Sequence, residues 1–205
     1  MEIVAQSVWK KYNKHWIISD FNYHFKQAKT YGITGPNGSG KSTLMAILSK
    51  QLIPSKGLVQ YNDNNGIQIN PTSESQLISF TAPYIELYDS LSLKESIQFH
   101  NQFRPFYSTI GYEDCIDQLE LKKFEHQRLQ SFSSGMKQRV KLAISIFTQS
   151  EILLLDEPGS FLDDYWRKKY SHWIQSYANN RIVLISSNDA DDFSLVDEFV
   201  PWHPQ

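Results

Sequence analysis

The stretch that most constrains this 205-residue chain is GITGPNGSGKSTLMAIL, residues 32–48. Within it Gly35, Pro36, Asn37, Gly38, Ser39, Gly40, Lys41, Ser42 and Thr43 run in order, and the first eight satisfy every fixed position of G-x-x-x-x-G-K-S/T. The context agrees: a strand-like YGIT precedes the loop and a helical STLMAILSKQL follows it. Glycines let the backbone turn tightly, so that successive N–H groups face one anion. The helix start adds about half an elementary positive charge. Lys41 can then reach the outer phosphates of a nucleoside triphosphate, and Ser42 can offer its hydroxyl to Mg²⁺. Many kinds of protein cradle phosphate in this way, so the purpose of the triphosphate has to be read from the rest of the chain.

Four short apolar runs have the length of buried parallel strands: YGIT at 31–34, LISF at 77–80, EILLLD at 151–156 and RIVLIS at 181–186. Helical patterns lie between them, at 41–52, about 92–104, 112–121, 135–149 and 163–177. The start, with EIVAQSVW and WIISDFNYHF, reads as an antiparallel β-region to about Lys29. Residues 57–76 are polar and turn-rich, and NDNNG reads as a loop or hairpin turn. The expected fold is α/β, in one domain over 1–205. Residues 1–83 and 151–205 form a parallel-sheet core with the N-terminal antiparallel β-region, and about 84–150 form an inserted helical subdomain. Hydrophobic residues at 40% suffice for a packed core.

Composition removes several classes. Twenty basic and 22 acidic residues leave a net charge of −2, which argues against non-specific nucleic-acid binding. The single cysteine, Cys115, cannot form an intrachain disulfide, and a reducing compartment is expected. MEIVAQSVWKKYNKHW has no secretory pattern, and the apolar ILLL is far too short to cross a bilayer. Any membrane span would come from another chain.

EILLLDEP supplies a second piece of chemistry. A buried strand ending in Asp156 suits a second contact to Mg²⁺, usually through water, and Glu157 can polarise an attacking water as a general base. Between the phosphate loop and this strand lies SFSSGMKQRVKL, residues 131–142. By itself it reads as a Ser133 or Ser134 cap opening an amphipathic helix with a basic face.

The order GPNGSGKST, FSSGMKQR, ILLLDEP, SFLD resembles the nucleotide-binding domain of the ATP-binding cassette (ABC) family, a P-loop NTPase fold, over essentially the whole chain. Against the family signature LSGGQ, Ser133 and Gly135 match while Ser134 and Met136 depart. The resemblance implies an ATPase using ATP and Mg²⁺, with two domains paired head to tail and ATP between them. Ser133, Ser134 and Gly135 would then meet the γ-phosphate held by a partner's loop, again an anion at a helix start. Asp163, in GSFLD, matches the acid of the loop that crosses the dimer interface. Tyr12 stands at the family's interval for stacking on adenine, with Trp9 and Trp16 as neighbouring competitors.

Two departures stand out. Pro83 takes the position where the family usually carries Gln, and it has no side-chain amide; Tyr84 and Glu86 are the nearest polar replacements. Asn188 takes the usual His position in RIVLISSND, where it can donate to a γ-phosphate without carrying a proton near neutral pH. Slower hydrolysis than in a fully matched member is expected. The resemblance implies a subunit that powers a separate transmembrane permease, peripheral on the inner face of the cell membrane, with no nucleic-acid partner. Its partner ATPase is a second copy or a paired ABC subunit. The short chain and the SSGMKQR variant look more like exporter-type subunits. The alternatives are a soluble non-transport ABC ATPase and a weakly hydrolysing regulatory module. The 93 residues between Gly40 and Ser134 show no sustained heptads, which disfavours the repair-associated branch.

Overall fold

The computed structural model describes residues 1–202. In chain order its elements are β1 (Glu2–Tyr12), β2 (His15–Lys26), β3 (Lys29–Thr34), α1 (Lys41–Leu48), β4 (Lys56–Asn62), α2 (Pro71–Glu74), β5 (Ile78–Thr81), α3 (Leu93–Phe103), α4 (Tyr112–Leu119), α5 (Ser134–Phe147), β6 (Ile152–Asp156), α6 (Asp164–Tyr177), β7 (Ile182–Ser187) and β8 (Glu198–Phe199). A parallel sheet runs β5-β6-β7-β3-β8, and a separate antiparallel sheet runs β2-β1-β4.

The parallel strands read as unbroken apolar runs because both of their faces are covered. Ile152 and Leu154 of β6, with Ile182 and Leu184 of β7, pack with α1 and the antiparallel sheet, against Leu44, Met45, Phe25 and Ile3. The intervening Leu153, Leu155, Val183 and Ile185 pack on the other face with Phe147, Trp173 and Ile174 of α5 and α6. Period-two alternation therefore sends one strand into two cores.

The expected loop at 57–76 is corrected in its first part: residues 56–62 form the third strand of the antiparallel sheet. Only Tyr61 among them is buried, paired across from Ile3 with its hydroxyl donating to the Leu48 carbonyl at 2.6 Å. The other side chains are partly or fully exposed, so the segment lacks the apolar signal of a strand. Gly57 sits where the β1–β4 pairing slips between Gln6 and Trp9, at φ 76°. A Cβ there would stand 1.9 Å from the Ser7 carbonyl oxygen, so this bulge requires glycine. Helix α1 stops at Leu48 rather than running to 52, with Lys50 at φ 66°. Residues 84–150 hold α3, α4 and α5 and no named strand.

Candidate functional site

The arrangement of the candidate site follows from the register of the parallel sheet. Thr34 pairs with Ser187 and Asp156 with Ser186, so the phosphate loop after β3, the acid after β6 and Asn188 after β7 emerge side by side. The carboxyl ends of parallel strands are where α/β sheets bind ligands. A cavity of about 490 Å³ opens there, lined by Tyr12, Ile17, the loop from Asn37 to Thr43, Glu157, Ser160 and Asn188.

Gly40, the residue before α1, adopts φ 92°. A Cβ on it would come within 2.7 Å of Ile17 Cγ2, so the loop can close only with glycine here. Lys41 is buried, and its ammonium donates to the carbonyls of Gly35 at 2.7 Å and Pro36 at 3.2 Å. It also stands 4.0 Å from Glu157 Oε1. The loop folds around its own lysine, whose ammonium it holds through two backbone carbonyls. Asn188 donates to Asn37 Oδ1 at 3.0 Å across the loop tip.

Asp156 is 1% exposed, yet neither carboxylate oxygen has a hydrogen-bond partner, and the Ser186 hydroxyl beside it is unpartnered as well. Burial pushes its acid form up from the usual carboxylate range; the nearby hydroxyls of Ser42 and Ser186 and the Lys41 ammonium oppose that rise. An unsatisfied buried carboxylate is costly by itself. The carboxylate of Asp156 and the hydroxyl of Ser42 are hard oxygen donors that fit Mg²⁺, which keeps its remaining positions for water and phosphate.

Glu157 holds a left-handed backbone at φ 48°, and its N–H donates to the Ser186 carbonyl at 2.7 Å. Burial raises its carboxyl above the ordinary range, while the Ser187 hydroxyl at 3.1 Å and the Lys41 charge hold it down. The single Ser187 proton is shared between Glu157 and the nearer Asp192 at 2.6 Å, and Asp192 accepts from Tyr170 of α6 at 2.6 Å. The acid end of β6 is thereby tied to the helix after the GSFLD turn.

Most of the residues singled out from the sequence converge on this cavity. Tyr12 lines it, whereas Trp9 and Trp16 pack edge to face on each other at 5.2 Å and do not. Ser133, Ser134, Gly135 and Asp163 lie outside it. Ser133 caps α5, accepting from the Met136 N–H at 3.2 Å, and Asp163 caps α6, accepting from the Trp166 N–H at 3.0 Å. Pro83 lines a different, smaller cavity of about 220 Å³ with Glu86, Ser134 and Lys141. Burial pushes the Tyr84 hydroxyl up to about 12, with the Asp156 carboxylate adding to the rise, but Tyr84 does not line the phosphate-loop cavity. Ile17 and Ser160 were missed, Ile17 because only the fold brings β2 against the loop.

Comparison with known proteins identifies the family and the fold. The family model described as ABC transporter matches residues 18–160. An uncharacterized ABC transporter ATP-binding protein of Bacillus subtilis (strain 168), YcbN, is 31% identical over 91% of this chain and 61% of its own length. The sulfate/thiosulfate import ATP-binding protein CysA of Synechocystis sp. is 25% identical over 98% of this chain and 58% of its own. The chain thus spans about three fifths of the length of these curated relatives. A solved dimeric bacterial ABC transporter cassette shares the fold, with a TM-score of 0.78 at 20% identity over 97% of this chain and 93% of that one. The family match covers well over half of the sequence, and the chain belongs to the ABC transporter family.

Proposed function

We propose that the chain is the ATP-binding and ATP-hydrolysing subunit of a transporter whose membrane span is a separate permease. One observation carries the reading: an unsatisfied buried Asp156, the half-buried Glu157 and a self-bonded Lys41 converge on a loop built to receive phosphate. Lys41 would exchange the Gly35 and Pro36 carbonyls for phosphate oxygens, a charge-assisted bond stronger than the neutral ones it gives up. Ser42 and Asp156 would hold Mg²⁺, which neutralises phosphate charge when bound. Glu157 would orient and deprotonate the attacking water, Asn188 would donate to the γ-phosphate, and Tyr12 would stack on adenine.

Ser133, Ser134, Gly135 and Asp163 belong, on this reading, to the site of a second copy or a paired ABC subunit. Ser133 and Ser134 are exposed at the start of a 14-residue helix, a geometry suited to an anion arriving from outside the chain. The dimeric form of the solved cassette supports the pairing. We also propose the division into a core of 1–83 and 151–205 and a helical subdomain of about 84–150.

No helix among the described residues is long and apolar enough to cross a membrane. A groove of about 430 Å³ between β5 and α3 carries the exposed rings of Tyr88, Phe99 and Phe103, and we assign it to a permease segment. Attachment would then be on the cytoplasmic face. Export is the proposed direction, on the SSGMKQR variant alone; a relative is named for import. Co-expression with a polytopic membrane protein and reconstitution in lipid tests the whole reading. ATP hydrolysis that rises when the membrane partner is present supports it, and ATP-dependent uptake of cargo into inside-out vesicles supports export. A chain that neither binds ATP nor co-purifies with any membrane protein contradicts it.

A further inference from the structure

The phosphate loop has a partner on its far side that the reaction does not use. Trp202, just after β8, donates its indole N–H to both the carbonyl and the hydroxyl of Ser39, at 3.2 Å each. Its ring lies against both loop glycines: a Cβ on Gly35 or on Gly40 would stand 3.3 Å from indole carbons. Phe21 holds the ring from behind, edge to face at 5.7 Å. Ser39 is buried at 7% exposure, and the same residue closes the loop's turn by donating its N–H to Pro36 at 3.2 Å.

A trans peptide is planar, so the Ser39 carbonyl and the Gly40 N–H point in opposite directions. An indole that holds the carbonyl on one side therefore turns the Gly40 N–H to the other, away from the ring. Gly40 and its neighbours Ser39 and Lys41 line the cavity. We propose that Trp202 is a positioning residue for ATP: it sets the Ser39–Gly40 peptide in the orientation that presents backbone N–H to phosphate, and so tunes nucleotide affinity from outside the cavity. The inference rests on the ATP-binding reading above.

The test is Trp202→Phe, which keeps an aromatic ring and removes the N–H, measured by calorimetric titration with ATP beside a thermal melt. The bond is present in the free loop, so it enters affinity only by orienting the peptide, an effect bounded by the worth of one neutral hydrogen bond, about fivefold. About fivefold weaker ATP binding, with hydrolysis at saturating ATP within about twofold of wild type, is expected. Ser39→Ala removes only one of the two acceptors and should cost about twofold; combined with Trp202→Phe it should cost less than the sum. Addition of ATP should also change tryptophan emission in the wild type and much less in Trp202→Phe. If Trp202→Phe melts early, the emission change in the wild type and the Ser39→Ala titration decide the matter. Wild-type affinity in the variant, or full additivity of the pair, would overturn the inference alone. A wild-type chain that fails to bind ATP would overturn the function and the inference together.

Discussion

Asn188 donates its side-chain amide to Asn37 Oδ1 at 3.0 Å, which joins the end of β7 to the tip of the phosphate loop. An amide holds this contact at any pH, whereas an imidazole would be able to exchange a proton there. Asn188→His is therefore expected to raise hydrolysis in the assembled complex by roughly tenfold, a part of the roughly hundredfold or more that a fully positioned acid–base group contributes. An unchanged rate would show that the contact is positional only.

Lys41 is the only ammonium lining the phosphate-loop cavity among the described residues. Lys41→Ala removes a charge-assisted phosphate contact worth about 2 kcal/mol, hence roughly 30-fold in ATP affinity. It also frees the Gly35 and Pro36 carbonyls, so a melt without nucleotide is the control. A variant that binds ATP as tightly as wild type removes Lys41 from the site.

Gly57→Ala tests the antiparallel sheet. The backbone at φ 76° and a Cβ 1.9 Å from the Ser7 carbonyl oxygen leave no relaxed position for a methyl group. A loss of about 3 kcal/mol is expected by denaturant titration, in the upper part of the range for single substitutions. A change under about 0.5 kcal/mol would mean that the bulge rearranges freely.

His100 supplies a pH dependence of stability. It lies beside Thr148 Oγ1 at 2.8 Å, and because the threonine hydroxyl donates to the Ile144 carbonyl at 2.6 Å, the imidazole is the donor. Burial, with the Arg104 charge, lowers it to about 4. An unfolded histidine titrates near about 6.5, so between these values the unfolded chain binds more protons. This contribution is complete above about pH 6.5 and is lost as pH falls toward about 4, of order 2 kcal/mol after solvent screening. Subtracting the melts of His100→Asn from those of wild type across that window isolates it. Parallel curves would contradict the assignment.

The parts legible in advance were those whose physics is local. The loop from Gly35 to Ser42 needs its glycines and lysine whatever surrounds it, and ILLLD announces a strand buried on both faces. The segment 56–62 was not legible, because Tyr61 alone is buried and Val59 packs only partly against the core, while the other residues are polar or exposed. β8 has only two residues, too few for any period, and sits on β3 through Glu198 and Phe199. In the site, Tyr12 against Trp9 and Trp16 could be separated only once β1 and β2 were paired. A cap at Ser133 or Ser134 was readable in the sequence, and the fold selects Ser133; the capping by Asp163, and the place of both outside the cavity, follow from the fold.

The central claim is that ATP is held between this loop and a second copy's Ser133. Glu157→Gln should slow hydrolysis while keeping the volume of the site, so that bound Mg-ATP persists. Sedimentation of that variant, at high concentration with and without Mg-ATP, measures the claim directly. A species of twice the chain mass that appears with Mg-ATP and vanishes in Ser133→Arg is the result the account predicts. A variant that binds Mg-ATP yet sediments at the mass of one chain, alone and with a membrane partner, would contradict it.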